Sequence, residues 1–170
     1  MELMRHITQQ GVELIKKFEG FVPHLYICAA GYPTIGYGHV VFAGDDFGNI
    51  TGTELLDIYR KFGLKAAQNA CNMNDADAEE LLLQDAQKFE RAVLRLIDVP
   101  LTDGQFDALV SFTYNLGPAA LQRSTLRCKV NREEHDEVPA EFGKWVWAGG
   151  RKLKGLIKRR KIEAEIYANG

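Results

Sequence analysis

The chain has 170 residues, enough for one domain with a core of its own. It is 46% hydrophobic and 26% charged with a formal net charge of -2, the composition of an ordinary soluble globular protein. That balance asks for neither nucleic acid nor a membrane as partner, and three irregularly spaced cysteines exclude a disulfide framework and suggest synthesis in a reducing compartment.

The N-terminus, MELMRHITQQGVELIKKFEG, lacks the apolar run of a signal peptide, and no stretch approaches the roughly 18 apolar residues of a membrane span. Val12, Leu14, Ile15 and Phe18 fall at helical spacing and predict an amphipathic helix over residues 9–19, with Thr8 as its N-cap. Residues 24–50 change character. Gly31, Pro33, Gly36, Gly38, Gly44 and Gly48 alternate with Tyr26, Ile35, Tyr37 and Val40, which predicts short antiparallel strands joined by tight turns. Helical spacing returns over residues 51–70. Asn74 and the acids behind it then open a long helix to about residue 97, where Pro100 follows.

Thr102 and Asp103 start the next helix. Its residues Ala108, Leu109, Val110, Phe112, Tyr114 and Leu116 leave little polar face, so it is expected at the centre of a core. Further helices are expected near 120–131, 137–147 and 155–167. The plan is α+β, one domain of 1–170. A small antiparallel lobe (18–72) and an all-helical lobe (98–170 plus the N-terminal helix) are joined by the long helix, and a cleft between the lobes is the expected binding site.

Charge is uneven along this plan. Eight Lys or Arg and no acid lie between Lys144 and Lys161, while residues 75–90 carry six acids against Lys88. A basic C-terminal end suits an anionic polymer such as a cell envelope.

One segment carries chemistry. In FEGFVPHLYICAAGYPTIGYGHV, Glu19 falls at the end of a helix, where the dipole disfavours a carboxylate, beside Phe18 and Phe21. Both influences favour the protonated form, which a general acid requires. Taken alone, Glu19 reads more readily as an exposed helix-end glutamate and Cys28 as a small buried apolar residue.

The spacing Glu19, eight residues, Cys28, five residues, Thr34, then Ile-Gly-Tyr-Gly-His, resembles the signature of phage-type lysozymes, the endolysins of glycoside hydrolase family 24. QFDALVSFTYNLG (105–117) resembles that family's buried helix. Trp145, Trp147, Gly149-Gly150, Gly155-Leu156-Ile-Lys-Arg-Arg and Glu163 resemble its C-terminal portion. The resemblance implies a muramidase that cleaves the β-1,4 bond between N-acetylmuramic acid and N-acetylglucosamine. It implies Glu19 as general acid, with Cys28 and Thr34 activating or positioning water. Cys28 departs from the aspartate of many members, and a thiol near its ordinary pKa of about 8.5 is a poorer standing anion. Residues 40–72 are longer than the loop of shorter members.

Around this core the sequence offers further candidates. His39 is expected to be structural, paired with Asp85. Asn115 is a sugar-contact candidate weighed against a helix-end hydrogen bond, and Tyr37, Tyr114, Trp145 and Trp147 are candidates weighed against core packing. Arg159 or Arg160 is expected near Glu19, in the family's manner. No HExxH motif or His–Cys pairing is present, so neither metal nor cofactor is expected. The expected partner is peptidoglycan, with the protein a monomer held in the host bacterial cytoplasm until lysis. Two alternatives stand beside the hydrolase. A lytic transglycosylase would act on the same bond without an activated water, and an envelope-permeabilising protein would act through the basic helix 151–167.

Overall fold

The computed structural model describes residues 4–170; the first three residues of the expected domain lie outside the described residues. It divides into two compact units, one formed by Glu19–Asp85 and the other by the chain up to Phe18 together with Ala86–Gly170.

The 19–85 unit is built on a three-stranded antiparallel meander, β1 (Val22–Ile27), β2 (Pro33–Gly36) and β3 (His39–Val40), in the order β1-β2-β3. Tyr26 pairs with Thr34, and Ile35 with His39. Inward residues Leu25 and Ile35 are fully buried. The expected helix over 51–70 is two helices, α2 (Gly52–Phe62) and α3 (Leu64–Ala70), with the break at Gly63. Thr51 and Glu54 form a capping box that starts α2. The long helix α4 (Asp75–Leu96) opens with the Asn74 side chain accepting from the Asp77 amide at 2.8 Å, as its sequence implies. The division between the units falls inside α4, after Asp85.

The other unit begins with α1 (Gln9–Glu19), which buries Val12, Leu14 and Ile15. Thr8 accepts the first helical bond from Val12, yet its hydroxyl donates to the buried Asp107 instead of capping the helix. The central helix α5 (Asp103–Leu116) buries every residue from Phe106 to Thr113, as its lack of a polar face requires. Around it lie α6 (Pro118–Arg123), α7 (Thr125–Asn131), α8 (Val138–Phe142) and α9 (Lys154–Asn169).

Two expectations are corrected here. The helix foreseen over 120–131 is broken at Ser124, whose hydroxyl caps α7 through the Arg127 amide at 3.0 Å. The all-helical lobe contains a hairpin, β4 (Trp147–Ala148) and β5 (Arg151–Lys152). Gly149 and Gly150 turn it with φ of 58° and 77°, the paired positive angles that a two-residue turn needs, and the helix expected over 137–147 already ends at Phe142, before Gly143.

Candidate active site

Glu19 is the last residue of α1, and the turn after it leads directly into β1. The β1–β2 connection is tight. The Cys28 amide donates to the Tyr32 carbonyl at 3.0 Å and the Gly31 amide to the Cys28 carbonyl at 2.8 Å. This closure turns the Cys28 side chain toward Thr34 and leaves it partly exposed. The thiol is pushed below its ordinary pKa, first by the Tyr32 backbone N–H and then by the Thr34 hydroxyl, with the Ala30 and Gly31 amides assisting against a smaller effect of burial. Hydrogen bonds to the thiolate favour the charged form, so Cys28 is a better standing anion than its residue type alone implies.

Thr34 is 2% exposed, and its hydroxyl donates to the Tyr32 carbonyl at 2.8 Å. A hydroxyl has one proton to give, so Thr34 serves either that carbonyl or the Cys28 sulfur at one moment. The Tyr26 hydroxyl, one strand position away, is pushed above its ordinary pKa by burial and then by the negative charges of Cys28 and Glu19. Glu19 and Cys28 therefore share one electrostatic neighbourhood. Gly38 borders it from the turn between β2 and β3: a Cβ placed there would lie 3.3 Å from Glu19 Oε2.

The residues flanking Gly38 are anchored by acids. The Tyr37 hydroxyl donates to Asp75, and the Tyr37 ring packs 5.5 Å from that of Phe21. At 6% exposure the Tyr37 side chain is buried within this unit. His39 Nδ1 is bonded to Asp85 at 2.8 Å, as its sequence context implies, and His39 Nε2 to Asp45 at 2.9 Å, a partner the sequence did not reveal. A ring that donates from both nitrogens to carboxylates is an imidazolium. Burial alone would push its pKa down, but the hydrogen bonds and charges of Asp85 and Asp45 outweigh it, and the net direction is up.

That direction fixes a pH dependence. A histidine whose pKa is raised on folding adds stability that is fully present below the unfolded value of about 6.5 and is lost as pH rises through the folded value. His39→Asn is therefore expected to melt below the parent protein by a gap that is widest in mildly acid buffer. The gap narrows as pH passes the raised pKa. Thermal melts across that range check it, and a gap independent of pH would refute the clamp.

In the other unit, Arg159 and Arg160 are both buried and both engage Glu163, at 3.1 Å from Arg159 Nε and 2.6 Å from Arg160 Nη1. Ser111 donates to the same carboxylate at 2.8 Å. Arg160 Nη2 also donates to Asn115 Oδ1, the side-chain amide oxygen. Tyr114 packs its ring 5.1 Å from Phe89, and Trp145 stands edge-on to Phe112 at 5.5 Å. Trp147 is 59% exposed, with Lys152 Nζ 5.4 Å from its ring centre. Among the described residues, no group of three or more His, Cys, Asp or Glu is arranged to hold a metal ion.

A family model described as phage lysozyme matches residues 16–163. The chain belongs to the phage lysozyme family. It is similar to the endolysin of Bacillus phage B103, at 36% identity over 97% of this chain, but it spans only 55% of that protein's length. The endolysin of Acyrthosiphon pisum secondary endosymbiont phage 1 is similar from end to end, at 34% identity over 95% of this chain and 97% of its own. Among solved structures, the muramidase domain of SpmX from Asticaccaulis excentricus superposes with a TM-score of 0.74 and 32% identity, covering 96% of this chain and 98% of that one. A phage P22 lysozyme variant superposes with a TM-score of 0.77 and 28% identity, covering 96% and 99%.

Within this phage lysozyme family member, sequence reasoning missed Asp45 and Ser111. Asp45 lies in a stretch with the composition of a turn, and Ser111 is one small polar residue in an apolar helix. Neither position carries a local signal. The three cysteines, in contrast, separate by environment. Cys71 is buried on the wall of a cavity of about 310 Å³ that also touches Asp46, Asp77 and Glu80, and burial pushes its thiol up. Cys28 is pushed the opposite way by hydrogen-bond donors.

Proposed function

We propose that the chain is a muramidase of the endolysin kind, hydrolysing the β-1,4 bond between N-acetylmuramic acid and N-acetylglucosamine in peptidoglycan. The observation that supports it most is the neighbourhood shared by a helix-end carboxyl, Glu19, and a donor-stabilised thiol, Cys28, set on a hairpin with Thr34 behind it. Glycoside hydrolysis needs an acid on the leaving oxygen and a second group that handles water or the developing positive charge.

In this reading Glu19 gives its proton to the glycosidic oxygen as the bond to the anomeric carbon breaks. Water adds to that carbon and loses a proton to the Cys28 thiolate. Thr34 is too buried to hold the water with an open face, and it acts through Cys28, as a donor to the sulfur. The muramidase and endolysin names of the relatives point to the same reaction, carried out on the wall after release from the host cytoplasm. No described helix is long and apolar enough to cross a membrane.

Mass spectrometry of fragments released from purified peptidoglycan tests this reading. Hydrated muramic-acid reducing ends are expected. Anhydro-muramic ends would mean a transglycosylase, in which no water is activated and Cys28 serves only as scaffold. Release of no fragment would remove both enzymatic readings.

A further inference from the structure

We infer that Gly38 is a positioning residue for the general acid, and that the chain needs glycine there because a side chain would occupy the space taken by the Glu19 carboxyl. The inference rests on the muramidase reading above and deepens it. Its basis is geometric. Gly38 has φ of 80°, and its missing Cβ would sit 3.3 Å from Glu19 Oε2, with no other atom that close. That is tighter than ordinary van der Waals contact, so one of the two groups would have to yield.

The Gly38 backbone is poorly able to yield. On one side Tyr37 is tied by its hydroxyl to Asp75 at the start of α4. On the other, His39 is held between Asp85 and Asp45 at 2.8 and 2.9 Å, and its strand pairs with Ile35. Asp45 is itself fixed by the Phe42 amide at 2.7 Å and, through its carbonyl, by the Gly52 amide at 2.7 Å. Two anchored neighbours make the α-carbon of Gly38 a stiff wall beside the flexible end of a glutamate. A methyl group there moves the carboxyl, and the position of a proton donor is what general acid catalysis depends on.

Strain and contact have to be separated, because any L residue at positive φ is strained. Gly48 supplies the control. Its φ is 87°, and nothing lies within 4 Å of a Cβ built there. Gly38→Ala and Gly48→Ala thus carry comparable backbone strain, and only the first meets Glu19. The experiment measures kcat, KM and melting temperature for both variants on solubilised peptidoglycan. Both are expected to melt lower than the parent. Gly38→Ala is expected to lose about tenfold in kcat with KM unchanged, since a few tenths of an ångström at the reacting group is a smaller error than the full ångström that costs a hundredfold. Gly48→Ala keeps the parent kcat.

Gly38→Asn provides a second variant with the same Cβ, in a residue that tolerates left-handed backbone, so the test survives if the alanine variant does not fold. Parent kcat in Gly38→Ala or Gly38→Asn would overturn the inference, as would an equal loss in Gly48→Ala. A parent protein that releases no fragments would instead bring down the muramidase reading, and this inference with it.

Discussion

Glu19→Gln is expected to lower the rate of reducing-end release from peptidoglycan by about 10²–10⁴-fold, the usual worth of a positioned general acid, and to leave the melting temperature within error of the parent. Glutamine has the same shape and keeps a carbonyl oxygen where Glu19 Oε1 or Oε2 stood, so the wall at Gly38 meets an unchanged outline. What is lost is a proton that can be given away as the glycosidic bond breaks. The nearby groups cannot replace it. The Cys28 thiol is displaced toward its anionic form by the Tyr32 amide and the Thr34 hydroxyl, which makes it a better acceptor of protons than a donor. The Tyr26 hydroxyl is displaced upward by burial and by its charged neighbours, which makes it too weak an acid. Residual activity close to that of the parent would show that proton donation comes from elsewhere and would dismantle the assignment of Glu19, Cys28 and Thr34 together.

The parts of this unit that were legible in the sequence are those fixed by local chemistry. A helix ending in Phe-Glu-Gly, a turn of four residues and a strand of four are enough to carry Glu19, Cys28 and Thr34 into one neighbourhood, because hairpin geometry depends on few residues. The His39–Asp85 pair was legible only once the strand and the long helix were both placed. Asp45 was not, because its reach to His39 depends on how the Phe42–Gly52 turn closes, and Asp-Asp-Phe-Gly-Asn reads equally as any polar loop. The Trp147–Lys152 hairpin was hidden for a different reason. Strands of two residues show no alternation, and the flanking apolar residues fit helical spacing well. Helix breaks at Gly63 and Ser124 were overrun by the same periodicity, since the burial pattern continues across a break even when the backbone does not.

The second large effect belongs to Glu163. The i,i+3 and i,i+4 spacing of Arg160 and Arg159 from Glu163 is visible along α9, but on a solvated helix such pairs contribute little. Here all three side chains are buried, Glu163 at 0% exposure, and Ser111 from α5 donates to the same carboxylate. Burial pushes the Glu163 carboxyl up, and the two guanidiniums and the Ser111 hydroxyl pull against it. Glu163→Ala removes the carboxylate that both buried guanidiniums engage. An arginine has no neutral form to retreat to, so the loss is expected to be about 3–5 kcal/mol, the cost of stranding a buried charge. In a chain of this length that corresponds to a fall in melting temperature on the order of 10 °C. The same argument makes a sharper claim about a triple variant. Replacing Arg159, Arg160 and Glu163 together by apolar residues of similar size removes every stranded charge, and it is expected to destabilise the protein less than Glu163→Ala alone. Denaturant titration of the two variants decides the matter. If the triple variant is the less stable, the cluster contributes net attraction in the folded state, and its role is not merely to satisfy charges that burial has already made expensive. In either case Arg160 also donates to the side-chain Oδ1 of Asn115 on α5, a second bond between the two helices.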